Sequence, residues 1–409
     1  MLLLALAAQL TAGVLLVFSA RRAVLLAAAV LPERPSEPEP APPAEPAVEA
    51  LVPCRNEAAS LPGLLAALDA LSYPRPVLRV TLVDDASTDN TLALAQAWAA
   101  GRPWARVLAL PANTGKAQAL NQALAGLGQA DFQPEIVVIY DADHRPQPGS
   151  LRALVRPFQD ARVAGVSGQM RVVNGLASPA AAYSLIESHV NQFVTMRAKD
   201  RLNLAPALLG SNCAYRLSAL RAAGGFRGGA LLEDSDLTLA LAQAGFRTRF
   251  APASVSSHRA PLTVAGYVRQ HLRWNRGFHQ VSGGRLGPLW RDRRLSWPLK
   301  VELTFFALGY ADRLALLVAL ACMAADLLWP GSFQFPLAVL AIYFGLPALE
   351  MVAALMLAGE PPAAFLRLAY VPFFFVLDIA IAAWSMLQTA LRSPARWSAT
   401  ERPQPAQSE

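Results

Sequence analysis

At 409 residues, 54% hydrophobic and with a mean hydropathy of +0.32, the chain is too long for one simple domain and too apolar for an ordinary soluble enzyme. Its formal charge of +7 suits an anionic ligand, a cytoplasmic membrane face or nucleic acid equally, so charge alone does not choose among them. Cys54, Cys213 and Cys322 stand far apart in no ligand spacing, which indicates neither a zinc site nor a disulfide framework.

Residues 1–20 carry no charged side chain, are about long enough to cross a bilayer as a helix, and are followed directly by Arg21 and Arg22. This predicts an uncleaved anchor over residues 1–31, because a cleaved signal peptide carries its positive charges ahead of the apolar run. The stretch "LPERPSEPEPAPPAEPAVEA" is rich in proline and glutamate and has little to bury, so residues 32–47 read as an extended linker.

From residue 48 short apolar runs alternate with helical periodicity. "AVEALVPC", "VLRVTLVDD", "RVLALP" and "EIVVIYDAD" read as strands, and "SLPGLLAALDAL", "DNTLALAQAWAA" and "GKAQALNQALAGL" as the helices between them. Such alternation predicts a mostly parallel α/β sheet with helices on both faces over residues 48–290. Ligands of these sheets sit beyond the carboxyl ends of the strands. The polar segments "PCRNE", "DDASTD", "NTGK" and "DAD" all follow strands at that edge.

Residues 291–395 contain three apolar stretches, 301–329, 335–358 and 364–391, separated by "WPGS" and "GEPP" and each long enough to span. The first contains Glu302, Asp312, Arg313 and Asp326, so its opening turns are expected in the interface. Arg21 and Arg22 place the large domain in the cytoplasm. Arg392 and Arg396 ask for a cytoplasmic tail, 396–409, that three crossings forbid.

In this order and spacing, "VPCRNE", "VDDASTDNT", "NTGKAQALN", "YDAD", "LLEDSDLTLAL" and "QHLRW" resemble the inverting membrane glycosyltransferases of family 2, which include cellulose, chitin, hyaluronan and poly-N-acetylglucosamine synthases. The resemblance covers residues 50–280 and implies a GT-A-type, Rossmann-like glycosyltransferase domain with flanking transmembrane helices. It also implies a UDP-sugar donor, a growing glycan or lipid acceptor, no nucleic acid, and a multi-pass place in the cell (inner) membrane. An export partner or a homo-oligomer is compatible with it.

Residue by residue, the chemistry is plain. Loss of a nucleoside diphosphate leaves growing negative charge, which a divalent cation held by carboxylates stabilises. Asp141 and Asp143, one residue apart on a strand, share a face and suit Mg²⁺ or Mn²⁺; the competing reading is an Asx turn ended by Pro146. By the resemblance Asp143 contacts the metal and Asp141 the donor sugar or ribose, while Asp85 accepts from uracil. Pro53 and Glu57 of "VPCRNE" line the donor site in the same reading.

Lys116 in a first helical turn suits phosphate. Crowding of Glu233, Asp234 and Asp236 at a helix start would raise a carboxylate's pKa, and the resemblance makes Asp234 the catalytic base with Glu233 its helper. Gln270, Arg273 and Trp274 share one helix face, as in the Q-x-x-R-W motif of polymerising members; taken alone the segment reads as a basic interfacial helix. The resemblance also makes "LGSNCAYR" the segment that shapes the acceptor pocket, with Gly210 and Ser211 its expected contacts. Two departures stand out: no F-x-V-T-x-K loop follows Trp274, with "FVTMRAK" at 193–199 lying before the base, and the membrane part is small. Processive synthesis is therefore weighed against one or a few additions to a lipid such as diacylglycerol or a carotenoid.

Overall fold

A computed structural model describes residues 2–32, 45–128, 132–328 and 335–393. The middle of the predicted linker, the "WPGS" break and the predicted polar tail 396–409 lie outside the described residues.

The soluble part is built on one eight-stranded sheet. In chain order the strands are β1 Val48–Cys54, β2 Leu78–Asp84, β3 Ala105–Ala109, β4 Ile136–Ile139, β5 Arg145–Pro146, β6 Val163–Val172, β7 Cys213–Arg216 and β8 Arg247–His258. Their spatial order is β3-β2-β1-β4-β7-β6-β8-β5. The first four are parallel, with Leu51 opposite Ile139 and Cys54 opposite Asp84. β7 then runs antiparallel to both β4 and β6, so the expectation of a mostly parallel sheet holds for the first half and gives way to a mixed second half.

Order reverses between β1 and β4, the place at which ligands of such sheets sit, beyond the carboxyl ends of the strands. Each strand arrives by burying alternate side chains on opposite faces. Val48, Ala50 and Val52 meet Leu61, Leu64 and Leu68 of helix Leu61–Asp69 on one side. Leu51, Val137 and Ile139 meet Leu120 and Leu124 of helix Lys116–Ala125 on the other. About 2 kcal/mol for each fully buried leucine outweighs the roughly 1 kcal/mol penalty of Gly63 within the first of these helices.

Among the described residues, three helices are long and apolar enough to cross a membrane: Leu4–Val30, Leu337–Leu357 and Pro362–Ala390. The predicted stretch 301–329 is not one span. It divides into Trp297–Leu308 and Ala311–Leu328 at Gly309, whose φ of +52° ends the first helix. Two of its charges, Glu302 and Asp312, are drawn into ion pairs with the N-terminal helix Leu2–Val30, which continues well past Arg21 and Arg22. Arg21 grips Glu302 through Nε at 2.8 Å and Nη2 at 2.6 Å, while Arg22 lies 2.6 Å from Glu350 and 3.5 Å from Asp312. The open carbonyls at the end of that helix are capped from the soluble domain, since the Arg201 guanidinium donates to Ala28, Ala29 and Leu31. The segment 193–199 is helical and packs under the same helix, with Val194 and Ala198 against Leu25 and Ala29.

Candidate active site

The loops after β1 and β2 are stitched to each other. Asn56 donates its backbone N–H to Ser87 Oγ and accepts at Oδ1 from Thr88 N at 2.8 Å. Asp89 accepts from Ala58 N and Thr91 N, and Glu57 N donates to Thr91 Oγ1 at 2.8 Å. Asn56 and Ala86 both hold positive φ, a strain that the crossed hydrogen bonds maintain. Pro53 sits inside β1 opposite Val83.

Asp85 is nearly closed off, 4% exposed, and turns its carboxylate to the loop after β3. Oδ1 accepts from Thr114 N at 2.7 Å and Oδ2 from Gly115 N at 2.8 Å. These bonds set the turn from which helix Lys116–Ala125 starts, so Asp85 orients Lys116 from a distance.

Lys116 is the hub. Its Nζ lies 2.8 Å from Asp141 Oδ1 and 3.4 Å from Glu233 Oε1, and donates to the Gly210 carbonyl at 3.0 Å. Burial opposes its charge, but Asp141, Glu233 and Asp234 more than offset this and hold the ammonium above its ordinary pKa. Ser211 Oγ accepts from Asp141 N at 2.9 Å, locking the turn after β4 to the segment before β7. Glu233 and Asp234 open helix Glu233–Gln243, and Asp234 is raised to about 7, by burial first and then by Glu233, against the pull of Lys116 and Arg273. Asp236 is turned away and paired with Arg285 and Arg227.

Four of the predicted residues, Lys116, Asp141, Glu233 and Asp234, thus share one cleft with Gly210 and Ser211 at its wall. Arg273 reaches it from helix Val264–Arg291, which Thr263 caps at its start. On the same helix Trp274 packs edge-on against His271 at 4.7 Å, and Gln270 is half-buried.

The sequence reading missed two histidines. His144 offers a ligand atom within 4.8 Å of those of Asp141 and Asp143, and its ring stacks on His258 with centroids 5.1 Å apart. His258 arrives because β5, directly after "DADH", pairs with the end of β8, Arg145 opposite Ser257. Burial and the neighbouring His144 push it down to about 4, against Asp143, so it is a neutral imidazole at physiological pH. A lone histidine ending a strand carried no signal by itself. Gly63 has a role here too: a Cβ there would overlap the Arg145 guanidinium, which reaches over to Ser60 O at 2.6 Å and pins the turn bearing the acids. Two carboxylates with imidazole beside them are a donor set that fits a hard or borderline divalent cation.

Comparison with known proteins shows the family. A family model described as "Glycosyltransferase like family 2" matches residues 45–277. The probable glycosyltransferase YdaM of Bacillus subtilis (strain 168) is 30% identical over 240 residues, 58% of this chain and 56% of that protein. An N-acetylglucosaminyltransferase of Mesorhizobium japonicum is 30% identical over 241 residues, 56% of this chain and 55% of its own length. The chain therefore spans about half the length of the curated relatives it matches. Among solved structures, the mannosyltransferase PcManGT from Pyrobaculum calidifontis, in complex with GDP-Man and Mn²⁺, aligns with a TM-score of 0.66 at 25% identity, covering 96% of this chain and 99% of that one.

Proposed function

Since this chain belongs to glycosyltransferase family 2, we propose that it is a metal-dependent inverting enzyme that takes a UDP-sugar and extends a glycan processively at the inner membrane, with its catalytic domain in the cytoplasm. The observation that carries this reading is the meeting of Lys116, Asp141, Glu233 and Asp234 in one cleft at the switch point of the sheet. The N-acetylglucosaminyltransferase relative favours N-acetylglucosamine as the sugar.

Asp234 accepts the proton of the acceptor hydroxyl, whose oxygen attacks the anomeric carbon from the face opposite the diphosphate. The bond from that carbon to the phosphate oxygen breaks, and the nucleoside diphosphate leaves with the electron pair. A pKa near 7 matches this task, because such a base is largely ionised at neutral pH yet still basic enough to take a proton. Mg²⁺ or Mn²⁺, held by Asp143 and Asp141 with His144 beside them, would supply positive charge for the departing diphosphate. Lys116 and Arg273 add fixed charge on the same side, Trp274 offers an aromatic face to a sugar, and Gln270 binds hydroxyls. Pro53, Glu57 and Asp85 shape the donor-side wall, and Gly210 and Ser211 the acceptor side.

One observation favours a second reading, one or a few additions to a lipid acceptor: few long apolar helices are present among the described residues to form a channel. The GDP-Man held by the mannosyltransferase that aligns almost end to end adds GDP-mannose to the candidate donors. The deciding experiment uses purified protein in detergent, presented with UDP-glucose, UDP-galactose, UDP-N-acetylglucosamine, UDP-glucuronate and GDP-mannose. We expect Mn²⁺-dependent release of UDP from one of the UDP-sugars, lost in Asp234→Asn. Release without divalent ions, or undiminished by that substitution, overturns the mechanism; product length from labelled donor separates a polymer from a single glycolipid.

A further inference from the structure

Away from the donor cleft, three helices bring Glu187, His271 and Asp378 together. Glu187 lies on helix Pro179–His189, His271 on Val264–Arg291 directly after Gln270, and Asp378 on Val371–Ala390. Their ligand-capable atoms all lie within 4.8 Å of one another, although His271 and Asp378 are only 1% and 2% exposed.

The hydrogen bonds around the trio fix which atoms point inward. His271 Nδ1 lies 3.1 Å from the Tyr267 carbonyl oxygen, an acceptor that only Nδ1–H can satisfy. In the neutral ring that leaves the lone pair on Nε2, aimed at the carboxylates. Nε2 stands at ion-pair distance, 3.3 Å, from Glu187 Oε2, but off the line that a ring N–H would take to it. Asp378 is held by Tyr267 Oη at 2.6 Å and Tyr183 Oη at 3.1 Å, and Tyr267 Oη also reaches Glu187 Oε1 at 3.3 Å. Phe374 and Ile381 pack on the buried side of the trio, and Arg313 supplies one positive charge nearby.

We propose that Glu187, His271 and Asp378 form a structural site for a borderline divalent cation of the Zn²⁺ kind, separate from the Asp141–Asp143 pair. A bond to a proton is directional, and Nε2 meets neither carboxylate in that direction. A cation between the three groups makes no such demand. The 3.3 Å from nitrogen to oxygen is the separation of two ligands about 2.0 Å from one metal at a tetrahedral angle. One imidazole and two carboxylates suit such an ion, and the surroundings are those of a supported site: the other ring nitrogen bonded to a backbone carbonyl, the carboxylates bonded by tyrosine hydroxyls. The ion would join an apolar helix of membrane-crossing length to the helix bearing Gln270, Arg273 and Trp274. This assignment is independent of donor and acceptor identity.

The test is metal content and stability of the full chain in detergent. Protein is stripped with EDTA, loaded with Zn²⁺, desalted and analysed by metal mass spectrometry, alongside its Tm with and without Zn²⁺. We expect one equivalent that survives Asp143→Asn and disappears in Glu187→Gln and Asp378→Asn, and a Zn²⁺-dependent rise in Tm that follows the same pattern. Glu187 is partly exposed, so Glu187→Gln decides the matter if Asp378→Asn does not fold. Equal metal in wild type and Glu187→Gln, or none left in Asp143→Asn, overturns the site, as does a metal-free His271 whose Nε2 carries a proton.

Discussion

A Cβ placed on Gly210 would lie 2.7 Å from Oδ2 of Asp234, and the backbone at Gly210 holds φ at +77°. The acceptor wall and the proposed base are in contact, and both the space and the conformation require glycine. Gly210→Ala is expected to lower kcat by about 10²-fold, the scale on which misplacing a reacting group by about an ångström is felt. Steady-state kinetics beside a Tm measurement checks this; full activity in a folded variant would remove Gly210 from the site.

The pH profile of kcat/KM should show one acidic limb. Asp234 works as a base only when ionised, so the rate climbs as pH rises through about 7 and levels off above it. Asp234→Asn should abolish the limb and reduce turnover by roughly 10²–10⁴-fold, with donor binding by calorimetry little changed.

Lys116→Gln removes the ammonium that lies against Asp141 and Glu233. With that positive charge gone, Asp234 ionises less readily and the acidic limb moves to higher pH. Donor KM rises in the same variant. A weaker donor with an unmoved limb would confine Lys116 to phosphate binding.

Asp85→Asn replaces an acceptor of Thr114 N and Gly115 N with a group half of which can only donate. A hydrogen bond to a charged group is worth about 1.5–3 kcal/mol, which appears here as a donor KM raised by roughly 10–150-fold. If Asp85 acts by placing Lys116, UDP- and GDP-sugars suffer alike. A selective loss of the UDP donor would return it to direct contact with uracil.

Glu302 lies between Arg21 and Lys199, whose Nζ is 3.3 Å away and whose side chain is 1% exposed. Glu302→Gln strands two cations in the packed junction of anchor and domain. The expected destabilisation is about 3–5 kcal/mol, read as a lowered Tm in detergent. Glu302→Asp, which keeps the charge, should recover much of it.

Much of the site was legible because of direction. In the parallel strands β1 to β4 every carboxyl end lies on one edge, so acids and glycines written directly after apolar runs must gather there, whatever the order of the strands. Asp141, Asp143 and Lys116 follow from that rule, and the apolar helices follow from length and hydropathy alone. The histidines did not follow, since His258 reaches His144 only through the antiparallel pairing of β5 with β8.

Nor could the sequence say that Asp85 would spend its oxygens on backbone amides, or that Arg21 and Arg22 would bind acids more than two hundred residues later. Periodicity and composition are properties of neighbours along the chain, and they determine which elements form and which of their ends carry polar groups. Which charge meets which, and therefore every shifted pKa and ion pair in this protein, depends on distances across the fold. Those distances are decided only when the helices and the mixed half of the sheet have packed.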